Sequence, residues 1–271
     1  MILEINQTNS AGINMFEVVE NGQLIYRAES PWYPMVTDHT RKIKMFNPMG
    51  QQVFETHYGL LENIAESAIP YKYLFTGAQR FNQYSVINSL GDTIGAFYKE
   101  ANGLLDGKLV LQYKDRGLTG YRRSIGPIEV VSFYEEDRVV AQLTKSNKSV
   151  DNLDKYLLHV IDGYDAWLPV MVFFVVYFDF IYHNNSGEIM VGTKIKYTYS
   201  FDKNMDKYDP NFILANFGQE EADRIAGKGP NSIVPPTTVA GMSMKTFWII
   251  FGSCWAVAIL IALIVLAIIF L

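Results

Sequence analysis

Thirteen consecutive residues from Ala166 to Phe178, AWLPVMVFFVVYF, carry no charge, and the apolar character resumes after Asp179 through Tyr182. A segment apolar on every side has to be buried on every side, so the remaining chain must supply walls around it. A helix of that length extends about 20 Å, short of the ~30 Å hydrocarbon core of a bilayer, which favours enclosure within the protein. Pro169 fits the first turn of a helix starting near Ala166, where its missing N–H costs nothing, although the many Val and Phe residues also suit a buried strand. Asp179 falls near the end of this element. A buried carboxylate is costly unless a cation or several donors meet it, so the sequence predicts a structural partner for Asp179.

The walls are legible as hairpins. Between residues 13 and 145, short β-branched or aromatic runs are bounded by turn signals at Asn21-Gly22, Met49-Gly50, Gly91-Asp92, Asp106-Gly107 and Glu136-Asp137. EVVSFYEE (Glu129 to Glu136) and RVVAQL (Arg138 to Leu143) form a hairpin across Glu136-Asp137, and EIMVGTKIKYTYSF (Glu188 to Phe201) alternates as a half-solvated strand. The unequal spacing of these units argues against a propeller or solenoid. Asp151, Asn152 and Asp154 ahead of KYLLHVID read as the N-cap and first turn of a helix that Gly163 ends. Asp209-Pro210 opens a short helix that Gly218 stops.

From Phe247 to Leu271 the chain again lacks charge, and here the twenty-five residues are long enough to cross a bilayer as a helix. Lys245 just before this span places the N-terminal part in the cytoplasm by the positive-inside bias, and MILEINQTNS lacks the apolar core of a signal peptide. The expectation is a tail-anchored protein, single-pass, in which the glycosylation sequons at Asn6, Asn147 and Asn184 are chance matches. The stretch 218–245, with Gly227, Gly229, Pro230, Pro235 and Pro236, reads as a linker between a domain over 1–217 and the anchor over 246–271.

Composition and motifs exclude several classes of function. With 49% hydrophobic and 14% aromatic residues the chain is too apolar for disorder, and a net charge of −5 disfavours nucleic acid as a partner. The lone Cys254 rules out an internal disulfide and a Cys-based zinc site. His39, His57, His159 and His183 show no i, i+4 pair for a metal. His159 and Asp162 are spaced as a base and its orienter on the expected helix, but a solvated pair has the same spacing. Asp202, Asn204 and Asp206 begin like an EF-hand loop, whereas Lys207 stands at the turn glycine and Ile213 at the bidentate glutamate. No catalytic motif, cofactor or metal site is predicted, and the chain reads as non-enzymatic.

Basic residues cluster at Arg41, Lys42 and Lys44, at Arg122 and Arg123, and at Lys194 and Lys196. An anionic leaflet attracts each nearby cation by ~1 kcal/mol, so these are candidate lipid-binding residues, although solvated strand faces carry the same residues. Gly120 to Pro127, GYRRSIGP, is the best single candidate because its glycines and proline suggest an exposed loop presenting two guanidinium groups.

Several segments together, FEVVENGQLIYRAES, MFNPMGQQVFET, VINSLGDTIGAFY, SFYEEDRVVAQLTK and DNLDKYLLHVID leading into the apolar run, carry a resemblance over roughly residues 13–201. In this layout the chain resembles the tubby C-terminal-like superfamily and is similar to its scramblase-like and LURP-one-related branches. The resemblance implies a mostly β fold in which an antiparallel closed β-barrel encloses a hydrophobic helix, here with a C-terminal transmembrane helix added. It also implies binding of lipid head groups, as tubby proteins bind phosphoinositides through basic residues. Scramblase members are implied to carry a cysteine-rich palmitoylated segment and a calcium loop, and this chain has no cysteine before Cys254. The expected function is a membrane-tethered, non-enzymatic module that binds lipid head groups or a membrane protein. Scramblase-like lipid transport is the alternative and an unrecognised enzyme a third reading.

Overall fold

At Asn21 and Gly22 both backbones lie at positive φ, 49° and 80°, the conformation a tight two-residue hairpin turn needs and that Asn-Gly supplies at low cost. That turn joins β2 (Asn14–Glu20) to β3 (Gln23–Ser30), and similar turns propagate the meander. The computed structural model describes residues 1–31, 42–69, 71–103, 106–125, 128–184, 191–195, 206–228, 238–239 and 242–243. Beside β1 (Ile2–Asn9), the wall continues through β4 (Lys44–Phe46), β5 (Gln52–Tyr58), β6 (Gln79–Asn88), β7 (Thr93–Gly103) and β8 (Asp106–Tyr113). It is completed by β9 (Arg116–Ile125), β10 (Ile128–Glu135), β11 (Arg138–Ser146) and β13 (Lys155–Val160). Strands β1 to β11 pair antiparallel with their sequence neighbours, and β13 pairs with both β11 and β1, closing a barrel of twelve strands. Closure leaves no strand edge unpaired. A short strand β12 (Lys148–Val150) pairs outside the ring with β14 (Thr193–Ile195).

The lumen is filled. Helix α3 (Leu168–Tyr182), preceded by a 3-10 turn over Asp165–Trp167, buries every residue from Val170 to Phe180. Phe173 and Phe174 stack on Phe97 of β7 with ring centroids 5.8 and 5.3 Å apart, and Phe174 also meets Phe133 of β10 at 5.3 Å. Tyr177 packs on Tyr84 of β6 and donates its hydroxyl to the Asn82 carbonyl at 2.9 Å. A helix is the element that suits this interior, because it satisfies its own backbone polar groups where the barrel wall has none to spare. The helical, enclosed reading of Ala166 to Tyr182 holds, with Pro169 in the first turn. By length and composition Asp165–Tyr182 would suffice to cross a membrane, but it lies inside the barrel.

Four expectations need correction. KYLLHVID is not a helix, since Lys155–Val160 forms β13. Its inner face places Tyr156, Leu158 and Val160 in the lumen, and its outer face places Leu157 and His159 beneath a C-terminal strap, so both faces are apolar and the period-2 signal vanishes. The strap contains α4 (Phe212–Phe217) and α5 (Gln219–Ile225), so chain read as linker from residue 218 is in part packed on the barrel. GYRRSIGP is not an exposed loop, because Arg122 and Arg123 lie within β9. Asp106-Gly107, expected as a turn, lies inside β8.

Within the unit Met1–Val234, the strap runs across the outer faces of several strands. Lys207 lies over the Tyr134 ring of β10 at 5.5 Å, and Arg123 of β9 lies over Tyr208 at 5.2 Å. Phe217 packs on His159 of β13 with centroids 4.9 Å apart, and Arg224 reaches Glu4 of β1 at 2.6 Å. The second unit, Pro235–Leu271, is described only at a small hairpin of β15 (Thr238–Val239) and β16 (Met242–Ser243). The apolar stretch Phe247 to Leu271 lies outside the described residues, as do residues 188–190 and 196–201 of the strand expected over Glu188 to Phe201.

Candidate functional site

Strand register brings charge into one end of an otherwise apolar lumen. Glu129 of β10 stands opposite Lys145 of β11, and Lys145 stands opposite Tyr156 of β13. These positions share the inward parity of Val131 and Phe133, of Leu143, and of Leu158, so the row faces the C-terminal turn of α3. That turn presents Asp179 and, just past it, His183.

Two ion-paired clusters result. Lys145 Nζ sits 2.8 Å from Asp154 Oδ1, also donates to the Ser146 carbonyl at 3.2 Å, and lies 5.6 Å from the Tyr156 ring centroid. Tyr156 donates its hydroxyl to Asp179 Oδ1 at 2.5 Å. Gln7 of β1 accepts the Asp154 backbone N–H at 3.0 Å, tying the loop before β13 to the wall. In the second cluster Arg122 of β9 donates Nε to Glu129 Oε1, while His183 Nε2 stands 2.9 Å from Glu129 Oε2. The Arg122 guanidinium also covers the rings of Tyr182 at 4.2 Å and Phe178 at 6.0 Å. Cations gathered at the carbonyl end of α3 complement its dipole.

Burial and pairing set the protonation states. Burial pushes the Asp179 carboxyl up to about 7, helped by the nearby Asp154 charge, while the Tyr156 hydrogen bond and Lys145 pull the other way. Burial also works to raise Glu129, but His183 and Arg122 outweigh it and hold the carboxyl at about 2. Burial lowers His183 below its ordinary value, with the Glu129 carboxylate 2.9 Å away opposing. Burial raises the Tyr156 phenol well above its usual value, and the Asp179 and Asp154 charges add to that, so it stays a donor.

Spare polar capacity remains. Asp179 Oδ2, Asn14 Oδ1 and Ser30 Oγ are buried and meet no hydrogen-bond partner among the described residues, while Asn14 Nδ2 donates to Asn184 Oδ1 at 3.2 Å. Chemically, the arrangement fastens α3 to the wall through mutually neutralised charges. It presents no nucleophile paired with a base, and no group of three or more potential metal-ligating His, Cys, Asp or Glu residues occurs among the described residues.

Arg122 thus faces the lumen, and Arg123 the strap, rather than forming one exposed pair. Lys42 is ion-paired with Glu55 at 2.7 Å and Lys44 with Glu29 at 3.6 Å, each across neighbouring segments of the wall. Lys194 lies in β14 opposite Ser149, and Arg41 and Lys196 lie outside the described residues. The described cations therefore do not converge on one patch. His159 lies in β13 rather than on the expected helix, and its Nε2 meets Glu221 Oε1 of α5 at 2.8 Å. Ile213, at the last position of the EF-hand-like stretch, is buried, while residues 202–205 lie outside the described residues. Sequence reasoning missed Glu129, Lys145, Tyr156 and His183 as a set. The available signal was a charge at each end of two apolar runs, and it becomes meaningful only once strand parity is known.

Compared with family models, with curated proteins and with solved structures, the chain matches none.

Proposed function

We propose that this protein is a membrane-tethered, non-enzymatic binding module of the tubby-like kind, with a bilayer-crossing helix at Phe247 to Leu271 and the barrel on the cytoplasmic side. The observation that carries the reading is the filled lumen. Val170 to Phe180 occupy the interior and are buried, so the barrel's inside is core and recognition falls to its outer surface. A lipid-transport role would need a route for a lipid, and the packed interior argues against one through the barrel. The internally neutralised charges near α3 favour a rigid scaffold over a reacting centre. Lipid head groups or a membrane protein are the ligands proposed for that surface.

Carbonate extraction of the full chain, and of a variant lacking residues 247–271, tests the tether. Full-length protein in the pellet and the shortened variant in the supernatant are expected, and a full-length chain that washes free overturns the anchor. Loss of a head-group dye from vesicle leaflets under the reconstituted protein would overturn the non-transporting reading.

A further inference from the structure

Between β5 and β6 the chain leaves the barrel in a helical excursion, α1 (Leu60–Ser67) and α2 (Tyr73–Thr76), whose polarity is inside out. An ordinary surface helix buries its apolar stripe and exposes its polar one. Here the only buried residue of α1 is Asn63, which donates Nδ2 to the carbonyls of Gly59 at 2.7 Å and Gln83 at 3.1 Å and accepts from the Gln83 N–H at 2.9 Å. Gln79 adds bonds to the carbonyls of Glu66 and Ile69, at 2.7 and 3.2 Å. Lys72 closes on Glu66 at 2.7 Å. Apart from Leu60, which is half-buried against the core, it is polar side chains that fasten α1 to the wall, while most of the large apolar ones of the excursion are exposed. Leu61 is 78%, Leu74 69% and Phe75 83% exposed, and Ile64, Ile69 and Tyr71 are more than half exposed.

We propose that this excursion is a bilayer-contacting surface that sets the barrel's orientation on the membrane to which the chain is tethered. The proposal rests on the tether reading and adds the contacting face. Only the eighteen residues 229–246 separate the last described residue of the strap from the apolar stretch at Phe247. Fully extended, they span at most about 60 Å, so a bilayer holding that stretch stays within reach of the barrel surface. The chemistry fits the interface rather than the anionic head groups. Exposed Leu, Ile and Phe with Tyr71 beside them match an apolar face rimmed by interfacial aromatics, and Lys72 is paired with Glu66 while Glu62 of α1 is acidic, so the excursion offers no excess positive charge to an anionic head group. Contact is therefore driven by burial of apolar surface, not by lipid charge.

The test uses the full-length chain with Cys254→Ser, carrying one cysteine at Leu61→Cys or Phe75→Cys. Met49→Cys and Leu90→Cys, at the equally exposed β4–β5 and β6–β7 turns, serve as controls. Each is labelled with an environment-sensitive dye and mixed into vesicles of phosphatidylcholine alone or with added phosphatidylserine, with a lipid-borne quencher. Quenching at residues 61 and 75 several-fold stronger than at 49 and 90, and equal in both vesicle types, is expected. Equal quenching at all four positions overturns the proposal, as does quenching that requires phosphatidylserine. Shielding from water without lipid quenching also overturns it, because a protein partner or a second copy then covers the patch. Carbonate extraction of the same vesicles reports the tether separately, so protein that washes free but is still quenched at Phe75 defeats the anchor alone.

Discussion

The Tyr156 hydroxyl on β13 and the Asp179 carboxylate on α3 meet at 2.5 Å inside the barrel, joining the wall to the helix that fills it. The bond adds a polar link to the packing that holds the helix, and its acceptor is a buried acid with one oxygen unpartnered among the described residues.

Asp179 makes stability depend on pH in a definite direction. Its folded-state pKa is raised, so between the ordinary carboxylate value and about 7 the folded protein binds the extra proton. Stability therefore declines as pH rises through that window and levels off above it. Asp179→Asn, which keeps an acceptor for Tyr156, should stabilise the protein at pH above 7 by on the order of 4 kcal/mol from a shift of 3.8 to about 7, with a smaller gain in acid. Tyr156→Phe should cost about 1–3 kcal/mol by removing the donor, more at alkaline pH. Denaturant titrations of the two variants across pH check both signs.

Glu129 acts in the opposite sense. Its depressed pKa contributes stability that is present above the usual carboxylate range and lost as pH falls toward about 2. Glu129→Gln should remove that acid-dependent loss and, by leaving the charge of the partly buried Arg122 uncompensated beside Phe178 and Tyr182, cost about 3 kcal/mol at neutral pH. Thermal unfolding at neutral and acid pH, compared with wild type, measures both effects.

Cysteine placed at Val172 or Val175 in a Cys254→Ser background reports on enclosure, since both valines are fully buried in α3. A maleimide should modify neither site in the native protein and both after denaturation. Prompt labelling of the native protein would mean that α3 is open to solvent.

The strap should loosen when its buried contact is cut. His159→Ala removes both the Glu221 hydrogen bond and the Phe217 ring contact, so amide exchange over residues 212–225 should accelerate while the barrel strands stay protected. Hydrogen-exchange mass spectrometry separates the two regions. Acceleration spread through the barrel would show that the strap and wall unfold as one unit.

Local chemistry alone determined much of the barrel. Asn21-Gly22 and Glu136-Asp137 marked turns because Asn, Gly and Asp favour the backbone conformations that hairpins require, and the structure places hairpins at both. The charge-free run from Ala166 demanded enclosure whatever surrounded it, and the hairpins around it could supply the wall. Tertiary structure decided what depends on neighbours distant in sequence. Lys155–Val160 is a strand because α3 covers one face and the strap the other, an arrangement that erases the alternation by which a strand is recognised. Arg122 turned inward because β9 pairs with β10 in a register that sets it on the luminal face, where Glu129 and His183 complete its surroundings. A one-residue slip would have put it on the outer face, where Arg123 meets Tyr208 of the strap, since side chains alternate faces along a strand. No local property of GYRRSIGP encodes that register, so only the closed barrel could decide which of its arginines faces the lumen and which the strap.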